Sequence, residues 1–296
     1  MKRFKFLSNN TVGYLFLAPW FLGFFGLMFI PVIASLYFSF TQYDMITPPQ
    51  WIGLDNFKEM FLHDGRFLKS LKVTFTYVFI GVPLELTFAL LLAIVLNKGI
   101  KSLGLYRAIY YVPSLFGGSV AIAILWRQVF GHEGIVNHVL GVFGVEGISW
   151  IGTPEYAIYT LILLKAWQFG APMIIFLAGL KQIPDELHEA ASIDGAGRFT
   201  KFFRITLPLL TPIIFFNVIM QIINSFQAFT PAYIVSEGTG GPVDSTLFYT
   251  LYLYIQGFTN FNMGYASAMA WFLLVIIIFL TALFFISSRK WVYYEN

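Results

Sequence analysis

The sequence predicts an all-α membrane protein with six transmembrane helices and with both termini in the cytoplasm. Of its 296 residues, 58% are hydrophobic and only 11% are charged, and the mean hydropathy is +0.74. A soluble domain of this size would carry roughly 25% charged residues. Six apolar runs each reach the ~20 residues that a helix needs to cross about 30 Å of hydrocarbon. We therefore interpret 1–296 as a single transmembrane domain.

The apolar runs give the predicted spans in order, at 12–40, 73–96, 106–130, 156–180, 208–235 and 264–288. The first run follows the basic stretch MKRFKF, as the core of a signal peptide would. Because the run is far longer than the ~7–15 residues of such a core, we expect it to remain as a helix. In the long loop after it, DNFKEMF predicts a short amphipathic helix at the membrane surface.

The distribution of Lys and Arg predicts the orientation, because cytoplasmic loops are enriched in both. With the N-terminus inside, the inner segments contain twelve of the 18 basic residues, namely Lys2, Arg3, Lys5, Lys98, Lys101, Arg107, Lys181, Arg198, Lys201, Arg204, Arg289 and Lys290. The outer segments contain four, namely Lys58, Arg66, Lys69 and Lys72. The later outer loops, 131–155 and 236–263, contain none.

Several classes of function find no support in the sequence. The chain has no cysteine, which excludes disulfides, thiolate metal sites and cysteine nucleophiles. Its four histidines are scattered without the spacing of a metal site, and no nucleophile–base set is visible. The net charge of +3 is too small to indicate nucleic acid as a partner. We therefore predict no catalytic residue and no metal.

A segment of mixed polarity, 181–207, lies between the fourth and fifth spans and is predicted to face the cytoplasm. Pro184 and Asp185 favour the start of a helix, and the glycine at 195 favours its end. The stretch TKFFRITLP then predicts a second helix that leads into the membrane. The small side chains of Ala190 and Ala191 leave a surface that another protein can approach closely. The alternative is a juxtamembrane linker that carries basic topology signals.

This segment resembles the EAA loop of permeases from binding-protein-dependent ABC importers. That pattern has E-A-A, a Gly four residues after the second Ala, and then I-x-L-P. The matching residues are Glu189, Ala190, Ala191, Asp194, Gly195, Ile205, Leu207 and Pro208. The longer form EAA-x-x-DGA-G, which includes Ala196, is similar to the sugar-importer branch, the maltose-type permeases. WIGLDNF, NSFQAFTPAYIV, EGTGGP and MGYASAMAWFL also resemble that branch, in its six-helix form.

The resemblance implies a type I ABC importer permease fold in a bacterial cell membrane, with membrane lipid around it. It implies three kinds of protein partner: a second homologous permease subunit, two cytosolic ATPase subunits and an extracytoplasmic sugar-binding protein. The sequence has no G-x-x-x-x-G-K-[ST] phosphate loop. ATP and Mg²⁺ would therefore bind the ATPase subunits, and this chain is expected to bind no cofactor. The residues expected to couple to the ATPases are Glu189, Ala190, Ala191, Asp194, Gly195, Ala196, Leu207 and Pro208.

Polar side chains inside the spans are candidates for a substrate pathway, because burying them in lipid is costly. Amides exchange hydrogen bonds with sugar hydroxyls, and aromatic rings stack on the apolar faces of sugars. The candidates are Trp167, Gln168, Asn217, Gln221, Asn224 and Gln227. The alternative is that the amides join neighbouring helices. Glu85 and Lys165 lie inside two different spans and could form a structural ion pair or a proton relay.

These observations predict the transmembrane permease subunit of an ATP-driven importer for a di- or oligosaccharide. A permease for glycerol-phosphate-type substrates is one alternative, although an anionic substrate would favour more basic residues in the spans. An ion-coupled secondary transporter that acts alone is another, and it would favour intramembrane ion ligands and an internal repeat. A membrane scaffold protein, with no open cavity, is the third.

Overall fold

The structure is a computed structural model that describes residues 9–99 and 102–293. Lys2, Arg3, Lys5 and Lys101 of the predicted inner basic set lie outside the described residues. In chain order the elements are α1 (Gly13–Phe38), β1 (Thr41–Gln42), β2 (Gln50–Trp51), α2 (Asp55–Leu62), α3 (Gly65–Leu96), α4 (Leu103–Phe116), α5 (Val120–Val129), α6 (Ile135–Val142), α7 (Pro154–Trp167), α8 (Gly170–Leu180), α9 (Asp185–Ile193), α10 (Arg198–Phe226), α11 (Thr230–Val235), α12 (Tyr249–Tyr254) and α13 (Met263–Trp291).

Four helices, α1, α3, α10 and α13, are long and apolar enough to cross a membrane. Two bent pairs, α4 with α5 and α7 with α8, meet the same criterion when each pair is counted as one span. The described part of the chain thus offers four to six spans, as the apolar runs predict. Helix α3 extends beyond its apolar run and begins at Gly65, because the Asp64 carboxylate caps it by accepting from the Phe67 N–H at 3.0 Å.

The predicted third span, 106–130, is not one helix. Helices α4 and α5 meet at an angle of 96° across residues 117–119. Gly117 and Gly118 disfavour a continuous helix because a glycine backbone loses the most conformational freedom on ordering. Ser119 then caps α5, and its Oγ accepts from the Ile122 N–H at 3.3 Å.

The predicted fourth span, 156–180, is also broken, with a bend of 41° between α7 and α8. Pro172 has no N–H to donate to the carbonyl of Gln168, and its ring crowds that carbonyl. The freed Gln168 oxygen instead accepts a hydrogen bond from the Ser114 hydroxyl at 2.6 Å. The Ser114 oxygen in turn accepts from the Ala171 N–H at 2.9 Å. The two broken spans are therefore joined at their breaks.

The predicted fifth span, 208–235, is wrong at its C-terminal end. Helix α10 stops at Phe226, and residues 230–235 form the separate short helix α11. Pro231 cannot donate to the carbonyl of Gln227, so the helix cannot continue through this point without losing a hydrogen bond. The carbonyl of Ala228 accepts from the Thr250 hydroxyl at 2.5 Å. The N-terminal end of α10 reaches back to Arg198, well before the apolar run.

The chain divides into two compact units. The first comprises the described residues up to His63 together with Leu253–Phe272. The predicted amphipathic helix is present here as α2, and its Asn56 is buried. The Asn56 amide donates to the carbonyls of Ser39 and Thr41, both at 2.9 Å. This side chain joins α2 to the end of α1 and to β1.

The second unit comprises Asp64–Tyr252 together with the described residues from Leu273 onward. Its centre is α3, which packs against α7, α8 and α10. Glycines permit the closest helix contacts: a Cβ on Gly170 would lie 2.1 Å from the Tyr110 carbonyl oxygen, and one on Gly179 would lie 2.0 Å from Ile213 Cδ1. These two glycines thereby bring α8 close to α4 and to α10.

Replacing Gly170 by Ala tests the close approach of α8 to α4. The added methyl group would collide with backbone atoms, which cannot move aside as a side chain can. We expect the free energy of unfolding to fall by about 1–3 kcal/mol, as is usual for overpacking. Gly118→Ala is the matched control, since a Cβ there has no atom within 4 Å. Thermal unfolding in detergent gives the comparison, and equal melting of both variants would contradict the packing.

Candidate functional sites: a polar cavity and an exposed helix

A polar cavity of about 380 Å³ lies within the second unit. It lies where α4, α7 and α10 end or break, and α3, α8 and α11 complete its wall. Polar side chains from several of these helices meet there, beside backbone groups at the breaks that cannot face lipid. The lining residues are Tyr77, Glu85, Ser114, Gly117, Gly118, Lys165, Gln168, Ala171, Pro172, Gln221, Asn224, Ser225, Ala228, Phe229, Thr230 and Pro231.

An ion pair forms one side of this cavity. The Lys165 Nζ lies 2.8 Å from Glu85 Oε2, and the two side chains are only 7% and 3% exposed. Lys165 Nζ also donates to Gln221 Oε1 at 3.3 Å. Each charge offsets the desolvation cost of the other, as the interpretation as a structural pair requires. The three residues come from α3, α7 and α10, so the pair also joins three helices.

The Gln168 side chain, unlike that of Gln221, bonds to a backbone carbonyl and not to a charged side chain. Its Nε2 donates to the Gly117 carbonyl at 3.1 Å. A Cβ on Gly117 would lie 2.1 Å from Gln168 Cδ, so the glycine makes room for the amide. The break in one span therefore binds the side chain that stands at the break in the other.

The six predicted pathway residues fall into two groups. Gln168, Gln221 and Asn224 line the cavity. Asn217 lies on the same helix face but is buried with 1% exposure, and its Nδ2 has no partner among the residues that the structure describes. Trp167 packs against Trp126, with ring centroids 6.0 Å apart, and Gln227 is exposed beyond the end of α10. Neither of these two residues is part of the lining.

The cavity also contains polar residues that the pathway prediction did not include. Glu85 and Lys165 were considered as a pair, but their place beside the candidate amides depends on how three helices pack. Ser114 and Tyr77 are ordinary residues in apolar runs, and no pattern in the sequence distinguishes them. Pro172 indicates that the Gln168 carbonyl needs another donor, but not which residue supplies it.

The second candidate site is the segment around α9. Helix α9 has no buried residue. It ends in a Schellman motif: Gly195 has φ +76°, its N–H bonds to the Ser192 carbonyl at 3.1 Å, and the Ala196 N–H bonds to the Ala191 carbonyl at 2.8 Å. The predicted helix end at Gly195 is therefore present. Lys201 also donates to the Ser192 hydroxyl and joins α10 to α9.

The predicted coupling residues are arranged in two sets along this segment. Glu189, Ala190, Asp194 and Gly195 are exposed, whereas Ala191 and Ala196 are half-buried. Leu207 and Pro208 are half-buried in α10, directly after a π-helical turn at Phe202–Thr206. Several large apolar side chains nearby are exposed, namely Leu187 at 42%, Ile193 at 88%, Phe199 at 82% and Phe203 at 59%. Several exposed apolar side chains within one short segment are typical of a surface that another protein covers.

Comparison with known proteins gives one consistent family. The family model described as "Binding-protein-dependent transport system inner membrane component" matches residues 60–293. The probable ABC transporter permease protein YesP of Bacillus subtilis (strain 168) is 55% identical over 290 residues, which cover 98% of this chain and 94% of that protein.

More distant relatives have names that include a substrate. The lactose transport system permease protein LacF of Rhizobium radiobacter is 32% identical, over 94% of either chain. The arabinooligosaccharides transport system permease protein AraP of Bacillus subtilis (strain 168) is 33% identical, over 92% of this chain and 87% of that protein. A chain in the crystal structure of a bacterial alginate ABC transporter, in complex with an alginate pentasaccharide-bound periplasmic protein, is similar in fold. Its TM-score is 0.81, at 23% identity over 94% of either chain.

The Glu85–Lys165 pair predicts a characteristic pattern of stability. Glu85→Gln alone leaves a buried ammonium unpaired, and Lys165→Met alone leaves a buried carboxylate unpaired. We expect each single variant to lose about 3–5 kcal/mol of unfolding free energy, and the double variant to regain most of it. Thermal unfolding of the purified protein measures all three. Additive losses in the double variant would show that the two groups do not act as a pair.

Proposed function

Because the chain belongs to the family of binding-protein-dependent transport system inner membrane components, we propose that it is the transmembrane permease subunit of an ATP-driven ABC importer for a di- or oligosaccharide. The polar cavity is the structural observation that most directly supports a sugar as the substrate. The names of relatives that transport lactose and arabinooligosaccharides support the same substrate class.

The chemistry of the cavity fits a hydroxyl-rich substrate. Gln168, Gln221 and Asn224 offer donors and acceptors of hydrogen bonds, and Tyr77 and Phe229 offer aromatic surface. The charges of Glu85 and Lys165 cancel at 2.8 Å, and the rest of the lining is uncharged. A cavity wall with no net charge suits a neutral sugar better than a phosphate ester. Asn217, one turn deeper on the same face, would extend the pathway in another conformation.

The exposed segment around α9 is the proposed contact with the ATPase subunits. The residues assigned to this contact are Glu189, Ala190, Ala191, Asp194, Gly195, Ala196, Leu207 and Pro208. The Schellman motif ends α9, the hydrogen bond from Lys201 to Ser192 joins α9 to α10, and α10 runs from there to the cavity wall. A rigid-body movement of α9 would therefore reach Gln221 through one continuous helix. ATP and Mg²⁺ remain on the ATPase subunits in this proposal.

The remaining partners follow from the family and from the exposed surface. A second homologous permease would complete the translocation pathway, two cytosolic ATPases would drive it, and an extracytoplasmic binding protein would deliver the sugar. We propose that both termini and α9 face the cytoplasm, in agreement with the distribution of basic residues. The apolar side chains of α1 are exposed along its length and would face lipid or the second permease.

Replacing Gly195 by Ala tests the contact with the ATPases. Its φ of +76° is strained for a residue with a side chain, by about 1–2 kcal/mol, although a Cβ there meets no atom. We expect ATP hydrolysis stimulated by the binding protein to fall roughly fivefold in nanodiscs that contain the whole complex. Glu189→Ala should have the same direction of effect. Gly197→Ala is the control, since Gly197 has φ −70° and open space around it.

Unchanged stimulation in Gly195→Ala and Glu189→Ala would contradict the proposed contact. If the chain transports sugar alone in liposomes, driven by an ion gradient and without the ATPases, then the secondary-transporter alternative is correct.

Cysteine labelling tests the pathway, because the chain contains no cysteine of its own. Asn224 lines the cavity, whereas Met220, one turn away on α10, is exposed outside it. We expect Asn224→Cys, but not Met220→Cys, to react with a charged methanethiosulfonate reagent in intact membranes. Lactose or arabinotriose should slow the reaction at Asn224→Cys if it occupies the cavity. Equal reactivity at both positions would place the aqueous pathway elsewhere.

A further inference from the structure

Two amides in the cavity have their orientation fixed by their partners. A side-chain amide can present either its oxygen or its nitrogen, but a Lys ammonium only donates and a backbone carbonyl only accepts. The Gln221 atom that faces Lys165 Nζ at 3.3 Å must therefore be the oxygen. The Gln168 atom that faces the Gly117 carbonyl at 3.1 Å must be the nitrogen.

The atoms left over are opposite in character. Gln221 has its Nε2, a donor, uncommitted to any residue that the structure describes. The Oε1 of Gln168, an acceptor, likewise has no hydrogen-bond partner among the residues that the structure describes. Both side chains are half-buried and line the same cavity. Each atom is therefore available to a ligand, and a hydroxyl group can bond to either, since it donates one hydrogen bond and accepts others.

We propose that Gln168 and Gln221 form a hydroxyl-binding subsite of fixed polarity, in which Gln221 donates and Gln168 accepts. Glu85 and Lys165 are positioning residues for this subsite. Lys165 engages the Gln221 oxygen at 3.3 Å, and Glu85 holds Lys165 in place at 2.8 Å. The ligand class is a sugar hydroxyl, and the inference rests on the proposed function.

This subsite explains why an ion pair stands beside a pathway for neutral molecules. Neither charge needs to bind the substrate. Removing the pair would let the Gln221 amide rotate and present either atom, which weakens the hydrogen bond to the hydroxyl without removing the amide. Lys165 thus acts through Gln221, so the effect of removing the ion pair and the effect of replacing Gln221 should not add.

The test measures how lactose and arabinotriose protect Asn224→Cys from the methanethiosulfonate reagent in the whole complex. The half-protective concentration should rise roughly tenfold in Gln168→Met and in Gln221→Met, the cost of one hydrogen bond. Gln128→Met is the control, an exposed amide of α5 outside the lining.

The positioning role is tested with Glu85→Gln combined with Lys165→Met, which leaves no unpaired charge. We expect this double variant to raise the half-protective concentration as much as Gln221→Met does. Adding Gln221→Met to the double variant should raise it no further. Lys165→Arg, which keeps a donor toward Gln221, should leave the half-protective concentration near that of the original chain. Additive effects, or an unchanged value in the charge-free double variant, would overturn the role of the pair.

Two other outcomes separate a failure of the subsite from a failure of the proposed function. If both sugars protect the original chain and the Gln168 and Gln221 variants behave like Gln128→Met, then the subsite is wrong while the proposed function stands. If neither sugar protects any form of the complex, then the proposed function fails and the subsite fails with it.

Discussion

The hydrogen bond from the Ser114 hydroxyl to the Gln168 carbonyl is the contact on which the cavity depends. Inside a membrane, a carbonyl freed by a proline must find another donor, since lipid offers none. Pro172 frees the carbonyl of Gln168, and Ser114 supplies the donor from the other broken span. The breaks of two spans are therefore held next to each other. Polar backbone and side-chain groups collect at this point, and the cavity is the space that they enclose.

The Glu85–Lys165 ion pair makes the cavity wall polar without giving it a net charge. Glu85 and Lys165 come from α3 and α7, and they meet Gln221 on α10. Helix α3 and two helices that pack against it, α7 and α10, are thus joined by one polar cluster. This arrangement fits a permease for sugars, because it places amides in the cavity wall without a net charge. The subsite inferred for Gln168 and Gln221 depends on the contact between Lys165 and Gln221.

The segment around α9 differs from the cavity in its burial. Helix α9 lies on the surface, and none of its residues is buried. The Schellman motif at Gly195 and the contact of Lys201 with Ser192 nevertheless fix its direction. Helix α10 begins beside it at Arg198 and ends at the cavity wall at Phe226. One continuous element therefore joins the proposed ATPase contact to the proposed sugar pathway.

The sequence by itself determined the fold class, the approximate spans and the end of α9, because hydrophobic length and a glycine at a helix end act locally. It also supplied Gln168, Gln221 and Asn224 as candidate pathway residues. It did not determine the breaks in 106–130, 156–180 and 208–235, since the average hydropathy of each run stays high and does not register a missing hydrogen bond. Only the tertiary structure decided that Trp167 and Gln227 lie outside the cavity and that Glu85, Lys165 and Ser114 lie in it. Those positions depend on contacts between residues far apart in the chain, which no local pattern contains.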